Sequence, residues 1–304
     1  MTIKDTGAAS DNLPLAVSVI VLTVLALSLG DALIKLGSSN FVLWQIFVIR
    51  SVIVVPFLVG LMWLTAPRVL QLPNAVGWVA LRSLLLVVMW ISYYVSLPYL
   101  PLSVAAAAFY TLPLFITLFS ALLTGERIHP RGWLAVVLGF IGVLLILRPA
   151  AGEFNFYALL PLLSAILYAL AMILTRTRCR QQHPLALSLA LNLMFILIGG
   201  IATLISSEWL SGLQQEFLIG EWVSMDSSQW LAMGLLAVAI LIGSIGTAFA
   251  YQNAPSSIIG VFDFAYVGFA VIWGLIFFAE RPDAISVTGM VLIVVAGVLS
   301  LRHQ

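Results

Sequence analysis

The chain keeps returning to the same kind of stretch, apolar and long enough to cross a lipid bilayer. A spanning helix needs about 20 mostly apolar residues. Ten such runs can be marked, at 14–36, 41–64, 75–97, 101–124, 131–148, 155–175, 185–205, 229–252, 256–279 and 285–302. Composition explains why lipid must be the solvent. Of the 304 residues, 62% are hydrophobic and 8% charged, where a soluble domain is about 25% charged and about 45–50% apolar. The expected fold is therefore an all-α membrane protein. Residues 1–13 are polar and lack the basic start of a signal peptide, so the first apolar run is expected to stay as a helix behind a cytoplasmic tail.

The second constraint is an internal repeat. Pro101 to Arg148 returns as Pro255 to Arg302, with Pro101, Ser103, Glu126 and Arg127 answered by Pro255, Ser257, Glu280 and Arg281 at an offset of 154. Past this hinge the register slips by one, and Gly142-Val143 answers to Gly297-Val298. A period near half the length is a duplication. It divides the chain into repeats at 14–148 (helices 1–5) and 155–302 (helices 6–10), with a long connection at 206–228. In that connection Trp209, Leu213 and Phe217 recur at helical spacing beside Glu208 and Glu216, which suits an interfacial amphipathic segment or an acidic loop.

Basic residues set the expected orientation. Lys4, Arg68, Arg127, Arg131, Arg176, Arg178, Arg180 and Arg302 fall on one side, against Arg148 and Arg281, with Lys35 near that edge. Both termini are then cytoplasmic, and 206–228 is extracytoplasmic. Five helices per copy is an odd number, so Glu126-Arg127 faces in while Glu280-Arg281 faces out. The copies are inverted repeats around a central site, a recurring plan of secondary transporters with alternating access.

With ten helices, two five-helix repeats and Gly125-Glu126-Arg127 after the fourth helix, the sequence resembles the EamA branch of the drug/metabolite transporter (DMT) superfamily over nearly its whole length. Lys35 ending the first helix and Arg50 in the second fit that family's first repeat. Within the branch the chain is most similar to the YddG-type aromatic amino-acid exporters. The resemblance implies a cavity lined by helices 1, 3, 4, 6, 8 and 9, with 5 and 10 peripheral. It also implies export of neutral, mainly aromatic or hydrophobic amino acids across the cytoplasmic membrane, driven by a gradient. Independently, no GxxxxGK[ST] nucleotide loop occurs.

Ionisable residues inside a span cost about 2.5–3.5 kcal/mol each on insertion scales and are functional candidates. There are five here: Asp31, Lys35, Arg50, Arg82 and Asp263. Asp31 and Lys35 stand four apart and can pair on one helix face. They suit an extracellular gate with Arg50 as alternate partner, or a pair that eases insertion while Lys35 snorkels. Arg82 can anchor at the inner interface or meet a substrate carboxylate. Asp263 answers to Phe109 in the first copy, so packing common to both copies does not explain it. It can attract a substrate ammonium, carry a proton, or serve as a structural partner for Arg82 or a nearby hydroxyl.

Trp90, Tyr93, Tyr94, Tyr110, Tyr168, Tyr251, Gln252 and Tyr266 form the second candidate set. Rings stack and bind cations, and hydroxyls or amides fix polar ends, which suits a zwitterion with an apolar side chain. The same residue types also fill interface belts, the role expected of Tyr99 and Trp133. Pro113, midway along the fourth helix, is the candidate hinge, or else a static kink. One cysteine, Cys179, and three separated histidines give no metal, cofactor or catalytic cluster. A net charge of +1 argues for no nucleic-acid partner. The expected partners are the bilayer, a small-molecule substrate and, through Asp263, protons. Two other readings stay open: export of cationic amphiphiles, and a non-transporting scaffold or lipid-handling protein.

Overall fold

The computed structural model describes residues 13–65, 75–124, 130–147, 155–209, 217–255, 259, 262, 263 and 265–301. Among them there is no strand. Eleven α-helices run α1 Leu13–Gly37, α2 Leu43–Thr65, α3 Val76–Ser96, α4 Leu102–Phe109, α5 Leu112–Thr124, α6 Pro130–Leu147, α7 Leu159–Thr177, α8 Pro184–Trp209, α9 Ser227–Asn253, α10 Ala265–Phe278 and α11 Ala284–Leu301. Helix is the solution expected of such runs, because lipid offers no partner for a free backbone N–H or C=O. Six helical stretches are each long and apolar enough to cross a membrane: Leu13–Gly37, Leu43–Thr65, Val76–Tyr99, Phe156–Thr177, Pro184–Ile205 and Ser227–Asn253.

Helix packing follows a pattern. α6 lies along α11, α1 along α9 and α10, α3 along α7 and α8, α2 along α8 and α9, and α4 along α7 and α10. Small residues permit these approaches. A Cβ on Gly142 of α6 would stand 2.7 Å from the Gly289 carbonyl oxygen and 2.8 Å from Ile293 Cγ1. Ala105 to Ala108 are fully buried in α4.

Each helix lies along one of the apolar runs, with three departures. The fourth run is two helices, α4 and α5. Tyr110, at φ −77° and ψ 15°, ends α4, and the Thr111 hydroxyl donates to the Ala108 carbonyl at 2.9 Å. Pro113 accounts for the break, since a proline inside a helix removes the N–H that residue i−4, here Phe109, would receive. Its side chain lies outside the described residues, so the structure neither adds to nor removes the hinge reading. The ninth run is also interrupted. Asp263 N–H bonds to Ile259 and Tyr266 N–H to Asp263, with a turn at Asp263 before α10 begins. The two breaks fall at the same offset, 154, as the sequence repeat. Val267 stands where the first copy has Pro113, so a missing N–H does not explain the second break.

The third departure is the connection at 206–228. Trp209 belongs to α8, while Leu213 and Glu216 lie outside the described residues. From Phe217 the chain is not helical. It docks on the start of α2 instead: Leu43 N–H bonds to Phe217 O at 2.8 Å, Trp44 Nε1 to Leu218 O at 2.9 Å, and Gln45 exchanges two bonds with Val223. From Phe217 on, these bonds to α2 hold the connection, and the centre of the expected amphipathic segment, 210–216, lies outside the described residues. The hinge residues Glu126 and Arg127 also lie outside the described residues.

Candidate functional site

Four of the five ionisable candidates, Asp31, Arg50, Arg82 and Asp263, are each 1% exposed. They form three groups. In the first, Asp31 on α1 accepts from Tyr94 of α3 at 3.1 Å and from Tyr266 of α10. Tyr93 lies 3.2 Å from the Tyr266 oxygen. Tyr266 has given its one proton to Asp31, so Tyr93 is the donor there. Arg50 on α2 reaches the Tyr94 hydroxyl at 3.5 Å. Its guanidinium sits 4.5 Å from the Phe195 ring centre and 4.8 Å from that of Phe47, a cation–π cage. One polar chain thus joins α2, α3, α1 and α10. Asp31 does not pair with Lys35. Burial among tyrosine hydroxyls supplies its hydrogen bonds.

The second group surrounds the helix break. The Tyr251 hydroxyl donates to Asp263 Oδ2 at 2.5 Å, and the Tyr168 ring meets that of Tyr251 edge-on at 6.2 Å. Asp263 Oδ1 is buried and has no hydrogen-bond partner. No ion pair joins Asp263 to another described residue, so the structural pairing with Arg82 is absent. Aromatic rings wall the space: Trp90 stacks on Tyr94 at 4.9 Å, Tyr110 on Tyr266 at 5.0 Å, and Phe109 meets Tyr168 edge-on at 5.5 Å.

The third group centres on Arg82. It does not reach an interface as an anchor would. Its Nε donates to Thr175 Oγ1 on α7 at 2.7 Å, while Nη1 is buried without a partner. Arg82 lines a cavity of about 20 Å³ together with Trp90, Tyr168, Ser244 and Thr247. That is space for about one water. Leu191 of α8, the seventh run, also lines it, while no described residue of α4 or α10 does; α10 instead brings Tyr266 to Asp31.

Lys35 is held elsewhere. Its ammonium stands 2.6 Å from Glu280 Oε1 and 2.6 Å from the Leu100 carbonyl. Glu280 Oε2 accepts the Leu102 N–H at 2.8 Å, at the first turn of α4. Ala279 takes φ 51°, which turns the chain so that Glu280 N–H closes on Gly274 O at 3.1 Å. A left-handed residue other than glycine costs roughly 1–2 kcal/mol. The ends of α1 and α10, the start of α4 and the turn before it are thus tied by one carboxylate and one ammonium. At other helix ends Arg176 of α7 donates to Gln252 O at 2.9 Å.

Of the amide candidates, Gln252 is committed: its Nε2 bonds to Cys179 O at 2.9 Å and Gln182 O at 2.7 Å. It pins the end of α9 to the α7–α8 turn and offers no N–H to a ligand. Tyr99, given to the interface belt by sequence, stacks on Tyr157 at 3.8 Å. The Trp133 side chain lies outside the described residues. Sequence reasoning missed the Phe47–Phe195 cage, Thr175 and the Glu280 tie. The last had a signal, because the repeat already marked Glu280.

Residues 14–148 match the model of the EamA-like transporter family. Across 97% of the chain and 98% of the relative, the sequence is 28% identical to the pseudopaline exporter of Pseudomonas aeruginosa. Over residues 14–148 the chain is similar to the EamA-like transporter family, and the relatives it matches over most of its length are named as transporters or exporters. It is also 27% identical to a riboflavin transporter of Vibrio cholerae, over 86% of this chain and 82% of that one. An S-adenosylmethionine uptake transporter of Rickettsia conorii is 24% identical over 70% and 68%. A protein of known crystal structure shares the fold at TM-score 0.65 and 18% identity, over 96% of this chain and 97% of that chain. This transporter is thus an integral membrane protein, and its relatives are named for small-molecule substrates.

Proposed function

We propose that the transporter is a secondary exporter of neutral, mainly aromatic or hydrophobic amino acids and related metabolites. It works across the cytoplasmic membrane by alternating access of two inverted five-helix repeats, with both termini cytoplasmic. The observation that carries the substrate reading is Asp263. A buried carboxylate with one free oxygen, no ion pair and aromatic neighbours is a receptor for an ammonium group with an apolar side chain. Tyr110, Tyr168, Tyr251 and Tyr266 supply the walls. With no substrate bound, a proton can neutralise Asp263, which would couple movement to a pH gradient.

The packing supports alternating access. Exchange each helix with the one five runs later, and the main contacts map onto themselves: α1 with α9 becomes α7 with α3, α1 with α10 becomes α7 with α4–α5, and α6 with α11 returns to itself. Interrupted helices at equivalent positions in two halves are the usual pointer to a transporter's central site. Export comes from the YddG-type resemblance, since the relatives' names include both an exporter and an uptake system.

The test is solute movement in proteoliposomes loaded with mixed amino acids, with and without a pH gradient, for the parent and Asp263→Asn. The expected result is specific movement of aromatic and large neutral amino acids. Asp263→Asn should slow it at least tenfold and abolish the response to pH. Movement of cationic dyes but no amino acid would put the cationic-amphiphile reading in its place. Movement of no solute at all would favour a scaffold or lipid-handling protein.

A further inference from the structure

Asp263 and the aromatic walls suit any amine, and a group that distinguishes an amino acid from a simple cation is needed elsewhere. We infer that Arg82, with the cavity it lines, is the subsite for a substrate carboxylate. A guanidinium keeps its charge at neutral pH and has five N–H donors. Here Nε is used on Thr175, while Nη1 faces a buried environment with no acceptor. Among the described residues no carboxylate pairs with it: Asp31 accepts from Tyr94 and Tyr266, Asp263 is held by Tyr251, and Glu280 pairs with Lys35. An unanswered cation inside a span is costly, and an incoming carboxylate removes that cost.

The geometry suits this ligand. Thr175 Oγ1 accepts from Arg82 Nε and donates to Ala171 O at 2.7 Å, so the guanidinium is held in place beside the cavity that Arg82 lines. Arginine binds carboxylates through paired N–H groups with directional specificity. Trp90, Leu86, Leu191 and Ile240 make the cavity's lining mostly apolar, with Ser244 and Thr247 also on it. Tyr168 lines the cavity and packs against Tyr251, whose hydroxyl holds Asp263, so the two rings link the carboxylate and ammonium subsites. At about 20 Å³ the space takes the head of a ligand, and its body enters as the halves part. A simple organic cation would meet repulsion at Arg82. The substrate class is therefore a zwitterion, and this assignment rests on the transport reading for what the subsite serves.

The experiment uses the full chain purified in detergent, with ligand-induced shifts in melting midpoint giving apparent Kd. The probes are L-phenylalanine, L-phenylalaninamide, which lacks the carboxylate, and phenylacetate, which lacks the amine. The parent should bind phenylalanine at least tenfold more tightly than the amide and should bind phenylacetate measurably. Arg82→Gln should erase both properties and leave amide affinity no weaker than in the parent, with Arg82→Lys intermediate. Thr175→Val keeps the charge but frees Nε. It should weaken the acid three- to tenfold and spare the amide, which provides the answer where Arg82→Gln does not fold. Equal binding of acid and amide by the parent, or acid binding by the variants as tight as the parent's, overturns the subsite. The two proposals fail separately. Acid-selective binding lost in Arg82→Gln without movement in proteoliposomes keeps the subsite and removes transport. Movement of acid and amide alike removes the subsite and keeps transport.

Discussion

The Lys35–Glu280 tie is expected to hold one end of the helix bundle shut, and removing it should open that end. At 2.6 Å, with both side chains less than a fifth exposed, the gross attraction at an effective dielectric of 20 is about 6 kcal/mol. Desolvation and side-chain ordering offset most of it, leaving about 1–2 kcal/mol. The Leu102 N–H on the same carboxylate contributes about 1.5 kcal/mol as a bond to a charged acceptor. Loss of the carboxylate therefore removes about 3 kcal/mol from the closed arrangement, roughly a hundredfold in the closed-to-open ratio. Gly274, where a Cβ would stand 3.0 Å from Glu280 Oε2, leaves room for the carboxylate. A cysteine at Ala105, fully buried in α4, reports the opening through its rate of alkylation by a charged maleimide. The native Cys179 is a quiet background, because burial raises its thiol pKa above the ordinary value while Arg82 opposes the shift only in part. Relative to the parent, Glu280→Ala should speed alkylation by about tenfold to a hundredfold. Glu280→Gln, which keeps an acceptor for Leu102, should lie between, and Lys35→Glu with Glu280→Lys should recover part of the protection. Unchanged rates in Glu280→Ala, or effects of Lys35→Met and Glu280→Gln that simply add in the double variant, would refute a latch.

Asp226 caps α9, accepting from Gln229 N–H at 2.8 Å. That bond, with one from Ser228, holds its carboxyl below the usual range. A depressed folded pKa means the contribution is present above the unfolded value, about 3.9, and is lost as pH falls through the folded one. Amide exchange in the first turn of α9 should therefore rise below about pH 4. Asp226→Asn should keep the cap without that pH dependence, and protection persisting in Asp226→Ala would show that the cap contributes nothing. Gly142→Ala should lower the melting midpoint by several degrees, because its Cβ meets the Gly289 backbone oxygen at 2.7 Å and overpacking costs about 1–3 kcal/mol. Gly60→Ala meets nothing within 4 Å and should be neutral or stabilising; equal effects at the two sites would argue against a tight α6–α11 seam.

What could be read from the sequence depended on range. Helix positions were legible because each apolar run satisfies its own backbone and needs no partner to be recognised. The break in the fourth run had its cause written beside it in Pro113, whereas the second break, before Val267, had none. Partners were poorly legible. Spacing offered Lys35 to Asp31, four residues away, but the structure gives it to Glu280, 245 residues on, because tertiary packing brings the α10–α11 turn to the end of α1. Gln252 looked like a ligand group on an expected cavity helix, and two backbone carbonyls claim it. One signal was stronger than its use. Ala279, left-handed in the structure, answers to Gly125 at the repeat offset, and glycine is the residue that takes such a conformation at no steric cost.

Under the two-copy reading, what the copies share and what they do not have different work to do. The shared features are mechanical: interrupted helices 154 residues apart, a packing pattern that survives exchange of the halves, and a basic residue bonded to a backbone carbonyl at the ends of α1 and α7. Any chain that alternates between two faces needs these in duplicate, because each copy must take the other's part. Asp263 and Arg82, both buried and without an ion pair among the described residues, are not shared. Asp263 answers to Phe109, and the same offset carries Arg82 to Leu236, both apolar and buried. One copy shows in each case that the fold is content with an apolar side chain there, so packing does not require the charge in the other. A central site has one substrate and no need of symmetry. The residues that depart from the repeat, rather than those that obey it, are where recognition is expected to reside. Arg82 and Asp263, linked through Tyr168 and Tyr251, are therefore the pair to test together in a double-mutant cycle.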